Sequence, residues 1–298
     1  MSIKRPHVLW YGIPLLVLIA VACYSIIGIH LVQSRLTTLS RTVEVLASTT
    51  SVLQQSMITN LVNLSGEISQ ERQNVGTIKQ QLGTYQEQVG TISNTVQTLQ
   101  KLSKTDPQLL QKYSKVFFLN EHYAPARLTE IPSAYRYSDS KVLKMHADIW
   151  PHLESLLSDA AKNSIRIYVE SAYRSFNEQQ ALKGIYTTVY GAGSANQFSA
   201  DQGYSEHQLG TTVDLTTTGL SGRLDGFDGT LAYSWLKANA YKYGFVLSYP
   251  ENNSFYVFEP WHWRYVGVKL ATYLFNQNMH FYDMDQRRID EYLVNFFE

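Results

Sequence analysis

The sequence predicts an α+β fold, a mostly antiparallel sheet with flanking helices, preceded by a transmembrane helix and a long coiled-coil helix. Three observations carry this reading. No Asp, Glu, Lys or Arg occurs over residues 6–34. An apolar heptad series runs between residues 61 and 99. From 105 to 298, helical patterns mix with short β-rich runs that cluster late in the chain, the signature of α+β rather than of alternating βαβ units.

Residues 8–32 are almost wholly apolar apart from Ser25 and His30. At about 1.5 Å per residue such a helix crosses a hydrocarbon core of about 30 Å. Residues 1–34 therefore read as an N-terminal membrane anchor. The competing reading is a cleaved signal peptide, but the run is longer than the usual apolar core and lacks a small-x-small cleavage site. Val21-Ala22-Cys23 resembles a lipoprotein cleavage site, yet Ala20 stands where a branched residue is expected and the run continues through Ile26, Ile27 and Ile29. Charge does not fix the orientation, since Lys4 and Arg5 before the span balance Arg35 and Arg41 after it. The one cysteine, Cys23, lies inside the span, which rules out a disulfide framework within one chain.

Residues 35–104 read as a stalk. Leu61, Leu64, Ile68, Val75, Ile78, Leu82, Tyr85, Val89, Ile92, Val96 and Leu99 form a heptad seam interrupted only at Glu71. Within it a motif repeats: Val75-Gly76-Thr77-Ile78, Leu82-Gly83-Thr84-Tyr85, Val89-Gly90-Thr91-Ile92. A glycine on the outer face costs a helix up to about 1 kcal/mol relative to alanine. Packing against a partner helix must then hold the stalk, which predicts a dimer or trimer. The alternative is one amphipathic helix folded back on the C-terminal domain. A continuous helix over residues 36–104 would span about 100 Å.

Thr105-Asp106-Pro107 ends the stalk, because proline disfavours a helical predecessor. The remaining residues, 105–298, suffice for one core of ordinary domain size. Helices are expected over 140–161, 176–190 and 231–243, the last closed by Gly244. Strands are expected over 165–170, 211–216, 244–248 and 255–258. Residues 283–297 read as an acidic and aromatic amphipathic helix. The formal net charge is zero, no basic run interleaves with aromatics, and no glycine-rich phosphate loop is present, so neither nucleic acid nor nucleotide is indicated as a partner.

The chemistry lies in two short segments. Ser205-Glu206-His207-Gln208-Leu209-Gly210-Thr211-Thr212-Val213-Asp214 is answered by Glu259-Pro260-Trp261-His262-Trp263-Arg264. Zn²⁺ takes nitrogen and oxygen ligands, and a catalytic zinc keeps three protein ligands and a water whose pKa falls to about 7. His207, Asp214 and His262 are the expected ligands, and Glu259 the base that takes the water's proton and returns it to the leaving amine. Taken singly, each of 8 histidines and 25 acidic residues is more readily a structural or solvated group than a ligand. The spacing is not that of two histidines on one helix face, so the ligands must converge through tertiary structure.

Arg174 is singled out by its setting. Ile165, Ile167 and Val169 alternate with polar residues as in a half-buried strand, and Ser175 with Glu178 forms a capping box that opens a helix at Phe176. The arginine thus falls at a strand-to-helix junction, where its paired donors suit the two oxygens of a carboxylate. The alternative is an arginine held by a nearby acid for structural reasons.

Ser-Glu-His-Gln-x-Gly-x-x-x-Asp followed by Glu-Pro-Trp-His-Trp-Arg-Tyr-Val-Gly resembles the VanY-type D-alanyl-D-alanine carboxypeptidases, zinc peptidases that trim peptidoglycan stem peptides. Further matches are Phe117-Phe118-Leu119-Asn120-Glu121-His122-Tyr123-Ala124-Pro125, Ser171-Ala172-Tyr173-Arg174-Ser175 with Gln179, and Tyr243-Gly244-Phe245, so that the resemblance spans about residues 105–275. It implies zinc ligands at His207, Asp214 and His262, a catalytic base at Glu259, a substrate-gripping arginine at Arg174, and substrate contacts at Gln179 and Ser205. The chain departs from the pattern at Thr212, at Gly203-Tyr204 where a proline and glycine are usual, at Ser248 where an arginine is frequent, and in a short 251–258 segment.

The resemblance implies removal of the C-terminal D-alanine by an enzyme anchored in the cytoplasmic membrane, with its C-terminal domain on the outer, cell-wall side. The rival readings are an L,D-carboxypeptidase, an endopeptidase within the stem, and a non-catalytic peptidoglycan-binding scaffold. Against the last, all four residues of the metal-and-base set are intact.

Overall fold

The computed structural model describes residues 12–191 and 200–298. Lys4 and Arg5, and the start of the apolar run at residues 8–11, lie outside them. The chain divides into two compact units, Met1–Gly90 and Thr91–Glu298.

Helix α1, Gly12–Lys104, occupies all the described residues of the first unit and the first residues of the second. Its N-terminal part is long and apolar enough to cross a membrane. None of its residues is buried, and the heptad seam residues are 46–65% exposed. Among the described residues, every position of the seam is exposed. Asp106 stops the helix and starts a 3₁₀ turn, Pro107–Leu110, by accepting from the Gln108 amide at 2.8 Å. Leu109 and Leu110 enter the core.

Among its described residues the second unit holds two antiparallel sheets. Strands β1 (Leu128–Glu130) and β2 (Lys144–His146) make the smaller one. The larger contains β3 (Tyr168–Ser171), β4 (Thr212–Thr216), β5 (Phe245–Leu247) and β6 (His262–Tyr265), in the order β3-β4-β6-β5. Around it lie α2 (Trp150–Lys162), α3 (Phe176–Tyr190), α4 (Leu231–Asn239), α5 (Val268–Asn276) and a short α6 (Gln286–Asp290). Leu153, Leu156 and Leu157 of α2 and Leu270 and Leu274 of α5 bury an apolar stripe in the same core as Val213, Leu215, Trp263 and Tyr265 of the central strands. Each such side chain contributes about 1.5–3 kcal/mol by leaving water.

The α+β, mostly antiparallel architecture is as expected, and the capping box at Ser175 is present in full: Glu178 donates its amide to Ser175 Oγ at 3.3 Å and accepts from the Ser175 amide at 2.8 Å. Other expectations are corrected. The helix expected over 140–161 starts only at Trp150, with Pro151 in its first turn, and residues 144–146 form β2 instead. The strand expected over 255–258 is a loop, because Asn253 Oδ1 takes the amides of Phe255 and Tyr256 that a ladder would need. The strand in that region is β6, which sequence patterning missed. The helix expected over 231–243 changes to a 3₁₀ turn at Ala240–Tyr243, stopped by Gly244 at φ +84°.

The C-terminal helix expected over 283–297 is broken into 3₁₀ turns at Phe281–Asp283 and Leu293–Asn295 around α6. Asp285 restarts the helix by accepting from the Arg287 amide at 2.8 Å. Phe296 lies against Gly267, where an added Cβ would meet the Phe296 carbonyl oxygen at 3.0 Å. Buried packing of the aromatics, rather than helical periodicity, shapes this segment.

Candidate metal centre

The register of the large sheet brings the ligand residues together. Asp214 on β4 is paired directly with His262 on β6, and on its other side with Ser171 on β3. Alternation along the strands sends Val213, Leu215, Trp263 and Tyr265 into the core and leaves Asp214, His262 and Arg264 on the opposite face. His207 arrives from the 3₁₀ turn Glu206–Leu209, which Gly210 ends at φ +67°, a left-handed conformation that suits glycine. An added Cβ there would also lie 3.2 Å from the His146 amide nitrogen.

His207, Asp214 and His262 are all buried, and their ligand atoms lie within 4.8 Å of one another. His207 Nε2 is 3.2 Å from Asp214 Oδ2, and His262 Nδ1 is 3.1 Å from Asp214 Oδ1. Ligand atoms on a tetrahedron about 2.0–2.1 Å from a zinc ion would be roughly 3.3 Å apart, so the spacing fits. The far ring nitrogens are also accounted for. His207 Nδ1 donates to the Ala172 carbonyl oxygen at 2.7 Å, and His262 Nε2 lies 3.0 Å from Glu206 Oε2. Such outer contacts fix the ring orientation of metal-binding histidines. The donor set fits zinc.

Burial and neighbouring charge tune these groups. Burial and the Arg174 guanidinium lower His207 to about 4, against the opposing pull of Asp214. For His262 burial works downward, but hydrogen bonds with Asp214 and Glu206 carry it up to about 9. Burial would raise the Asp214 carboxyl, yet His207 and His262 hold it well below the usual carboxylate range. Glu259 moves the other way: burial pushes it up to about 7, with His262 opposing and Asp214 assisting. A carboxyl near neutrality can both take and give a proton.

A cleft of about 480 Å³ opens over this centre and is lined by Arg174, Ser205, His207, Asp214, Glu259 and His262, among others. Glu259 lies in the turn before β6, with Oε2 3.6 Å from His262 Nδ1. Arg174 stands between β3 and α3, with Nη1 3.9 Å from Asp214 Oδ2 and 3.1 Å from Ser171 Oγ, which it contacts as donor. Its Nε is buried and has no hydrogen-bond partner among the described residues. Gln179 is buried and donates to the carbonyl of Ala200, itself a lining residue, but is not part of the cleft wall.

Sequence reasoning assigned no role to the groups behind His262. Tyr249 stacks on the His262 ring, centroids 3.9 Å apart, and Tyr256 stacks on Tyr249 at 4.1 Å. Glu206, fully buried, accepts from Arg264 Nη1 at 2.7 Å, Ser248 Oγ at 2.8 Å and Tyr282 Oη at 2.9 Å. Burial alone would raise its carboxyl, but Arg264, His262 and Ser248 hold it at about 2. Both Glu206 and Arg264 stand inside the two motifs, and only the fold shows that they meet.

The profile of the VanY family, described as D-alanyl-D-alanine carboxypeptidase, matches residues 142–268. The chain is 33% identical to a D-alanyl-D-alanine carboxypeptidase of Enterococcus faecalis, over 44% of this chain and 52% of that protein. It is 30% identical to VanXYC of Enterococcus gallinarum, a bifunctional D-Ala-D-Ala dipeptidase and D-Ala-D-Ala carboxypeptidase, over 53% of this chain and 84% of that protein. Among solved structures, the LdcB LD-carboxypeptidase superposes with a TM-score of 0.54 at 28% identity, covering 63% of this chain and 87% of that one. The chain spans 46–62% of the length of the first three curated relatives that it matches. With 84% of VanXYC matched at 30% identity and the family profile laid across β2 to β6, the chain belongs to the VanY D-alanyl-D-alanine carboxypeptidase family.

Proposed function

We propose that this protein is a zinc carboxypeptidase that removes the C-terminal D-alanine from peptidoglycan stem peptides. The observation that carries the proposal is the meeting, in one cleft, of a buried His-Asp-His donor set, a carboxyl raised to about 7 and an arginine with an unsatisfied donor.

His207, Asp214 and His262 would hold the ion. Zinc bound there supplies Lewis-acid polarisation of the scissile carbonyl and makes water acidic enough to attack at neutral pH. Arg174 binds the terminal carboxylate of the substrate, its fork of donors matching the two oxygens. Ser205, in the cleft wall, offers a hydroxyl to the peptide backbone. Gln179 acts on the substrate through the Ala200 carbonyl that it holds. Glu259 takes a proton from the attacking water and delivers it to the amine nitrogen as the peptide bond breaks, which releases free D-alanine.

The remaining parts of the chain serve delivery. Residues 1–34 anchor it in the cytoplasmic membrane, residues 35–104 form a self-associating coiled-coil stalk, and residues 105–298 form the catalytic domain on the outer side, where peptidoglycan lies.

The likeness to LdcB favours a second reading, L,D-carboxypeptidase action on tetrapeptides. The two separate in one experiment. The full chain in detergent, loaded with zinc, is incubated with defined pentapeptide and tetrapeptide stems, and the products are weighed by mass spectrometry. Loss of one alanine from the pentapeptide alone supports the D,D reading, loss from the tetrapeptide alone replaces it with L,D, and loss from neither overturns both.

A further inference from the structure

We propose that Glu206 is a positioning residue for zinc: its carboxylate fixes which nitrogen of His262 faces the metal. The inference rests on the zinc reading of the donor set but not on the identity of the peptide cleaved.

Glu206 is fully buried and surrounded by donors. One oxygen, Oε1, accepts from Arg264, Ser248 and Tyr282, while the other, Oε2, faces His262 Nε2 at 3.0 Å. A carboxylate beside a guanidinium has only acceptors to offer. The imidazole must answer with Nε2–H, which in the neutral ring leaves the lone pair on Nδ1. That is the nitrogen 3.1 Å from Asp214 Oδ1 and turned toward the other ligands. Glu206 thus chooses the tautomer by its charge.

The carboxylate is itself held from several directions. Arg264, fully buried, uses Nη2 to donate to the carbonyls of Leu109 and Gln111 at 2.9 and 3.0 Å. The Tyr282 hydroxyl shares its one proton between the Tyr113 carbonyl, at 2.7 Å, and Glu206 Oε1, at 2.9 Å. The residues just after α1 and those of the C-terminal segment therefore close on the carboxylate that orients a ligand from β6. A shift in either would be felt at the metal.

Glu206→Gln separates this role from simple packing, because the shape is kept and only one acceptor survives. The amide nitrogen of glutamine must face either Arg264, which has no acceptor, or His262 Nε2. Facing His262 it pulls the proton onto Nδ1 and blocks the ligand position; facing Arg264 it opposes a buried cation. Either arrangement weakens zinc.

The test measures zinc affinity of the full chain in detergent by competition with a chromogenic chelator, with ring-nitrogen NMR of the zinc-loaded protein as a second readout. The expected result for Glu206→Gln is a loss of about 10–100-fold in zinc affinity, with the Nε2–H resonance of His262 shifted or lost. Unchanged affinity in a folded variant overturns the proposal. Should Glu206→Gln not fold, ring-nitrogen NMR of the zinc-loaded wild type decides: a proton on His262 Nε2 supports the role, and a proton on Nδ1 overturns it. Because the readout is metal binding, its failure is distinct from a failure to release D-alanine.

Discussion

Asp214 and His262 face each other as direct partners across β4 and β6, so two of the proposed zinc ligands are set by one rung of the sheet. A third, His207, reaches Asp214 from a turn. Each histidine thus meets its own oxygen of the same carboxylate, and Asp214 is the centre of the donor set.

From that arrangement follows the response to metal removal. Chelation should abolish D-alanine release and lower the thermal midpoint, and added zinc should restore both. A ligand present at 100 times its dissociation constant stabilises the folded state by about 2.7 kcal/mol, enough for a shift of several degrees in calorimetry. Asp214→Ala should remove the stoichiometric zinc itself. Retention of one zinc per chain in that variant would show that the ion sits elsewhere.

Glu259 and Arg174 should fail differently. Glu259 is outside the donor set, so Glu259→Ala should keep zinc while kcat falls by about 10²–10⁴, the range for loss of a general acid-base group. Arg174→Lys keeps the charge and loses the fork. Hydrogen bonds to charged groups are worth about 1.5–3 kcal/mol, so KM should rise by roughly 10–100-fold. Metal content by atomic absorption and steady-state kinetics separate the two: zinc loss in the first or a normal KM in the second contradicts the roles.

Two buried histidines away from the centre each contribute to the pH dependence of folding with a definite sign. Burial lowers His152 below its ordinary 6.5, and its Nε2 is hydrogen-bonded to the Tyr265 hydroxyl at 3.1 Å. His146, also lowered chiefly by burial, is stacked on Phe297 at 5.2 Å. As pH falls through 6.5 the unfolded chain takes protons that these rings refuse, so stability drops until pH passes their lowered values, and no further. With falling pH across this window, denaturant midpoints of the wild type should drop relative to those of His152→Gln. An equal slope in both would remove His152 from the account.

Gly244 carries a backbone prediction. At φ +84° it turns the chain from the 3₁₀ turn into β5, and a Cβ there would lie 2.5 Å from the Tyr265 ring. Gly244→Ala should cost more than the roughly 1–2 kcal/mol of left-handed backbone alone, because Tyr265 is buried and cannot swing out. Urea unfolding reads this directly.

How much of this was legible depended on where the information resides. The residues that the fold gathers in one cleft, Arg174, His207, Asp214, Glu259 and His262, could be picked out because each stands in a motif with distinctive neighbours, and Ser175 with Glu178 marked α3 through a purely local hydrogen-bond pair. Strand β6 was missed because it is only four residues long and, although His262-Trp263-Arg264-Tyr265 alternates, its polar positions His262 and Arg264 are buried with the rest and stand inside a motif already read for its chemistry. The loop at 255–258 was taken for a strand because its apolar alternation is real, but Asn253 claims the amides first. Glu206 was invisible for a third reason: a carboxylate beside a histidine in sequence gives no hint that an arginine 58 positions away will neutralise it in the core.

The stalk offers the last test, through two kinds of residue on one helix. Val89 belongs to the apolar seam and is 65% exposed, while the adjacent Gly90 has open space where a Cβ would go. If a second copy of the chain covers the seam, Val89→Asp places a charge in that interface and should turn the oligomer seen by sedimentation in detergent into monomers. Gly90→Ala should do the opposite, adding about 0.8–1.0 kcal/mol of helix propensity and raising the melting temperature of the helical signal without dissociation. The pair is diagnostic because the two positions are neighbours on different faces. Dissociation by Gly90→Ala with no effect of Val89→Asp would mean that close backbone approach at the glycines, not the apolar seam, holds the copies together.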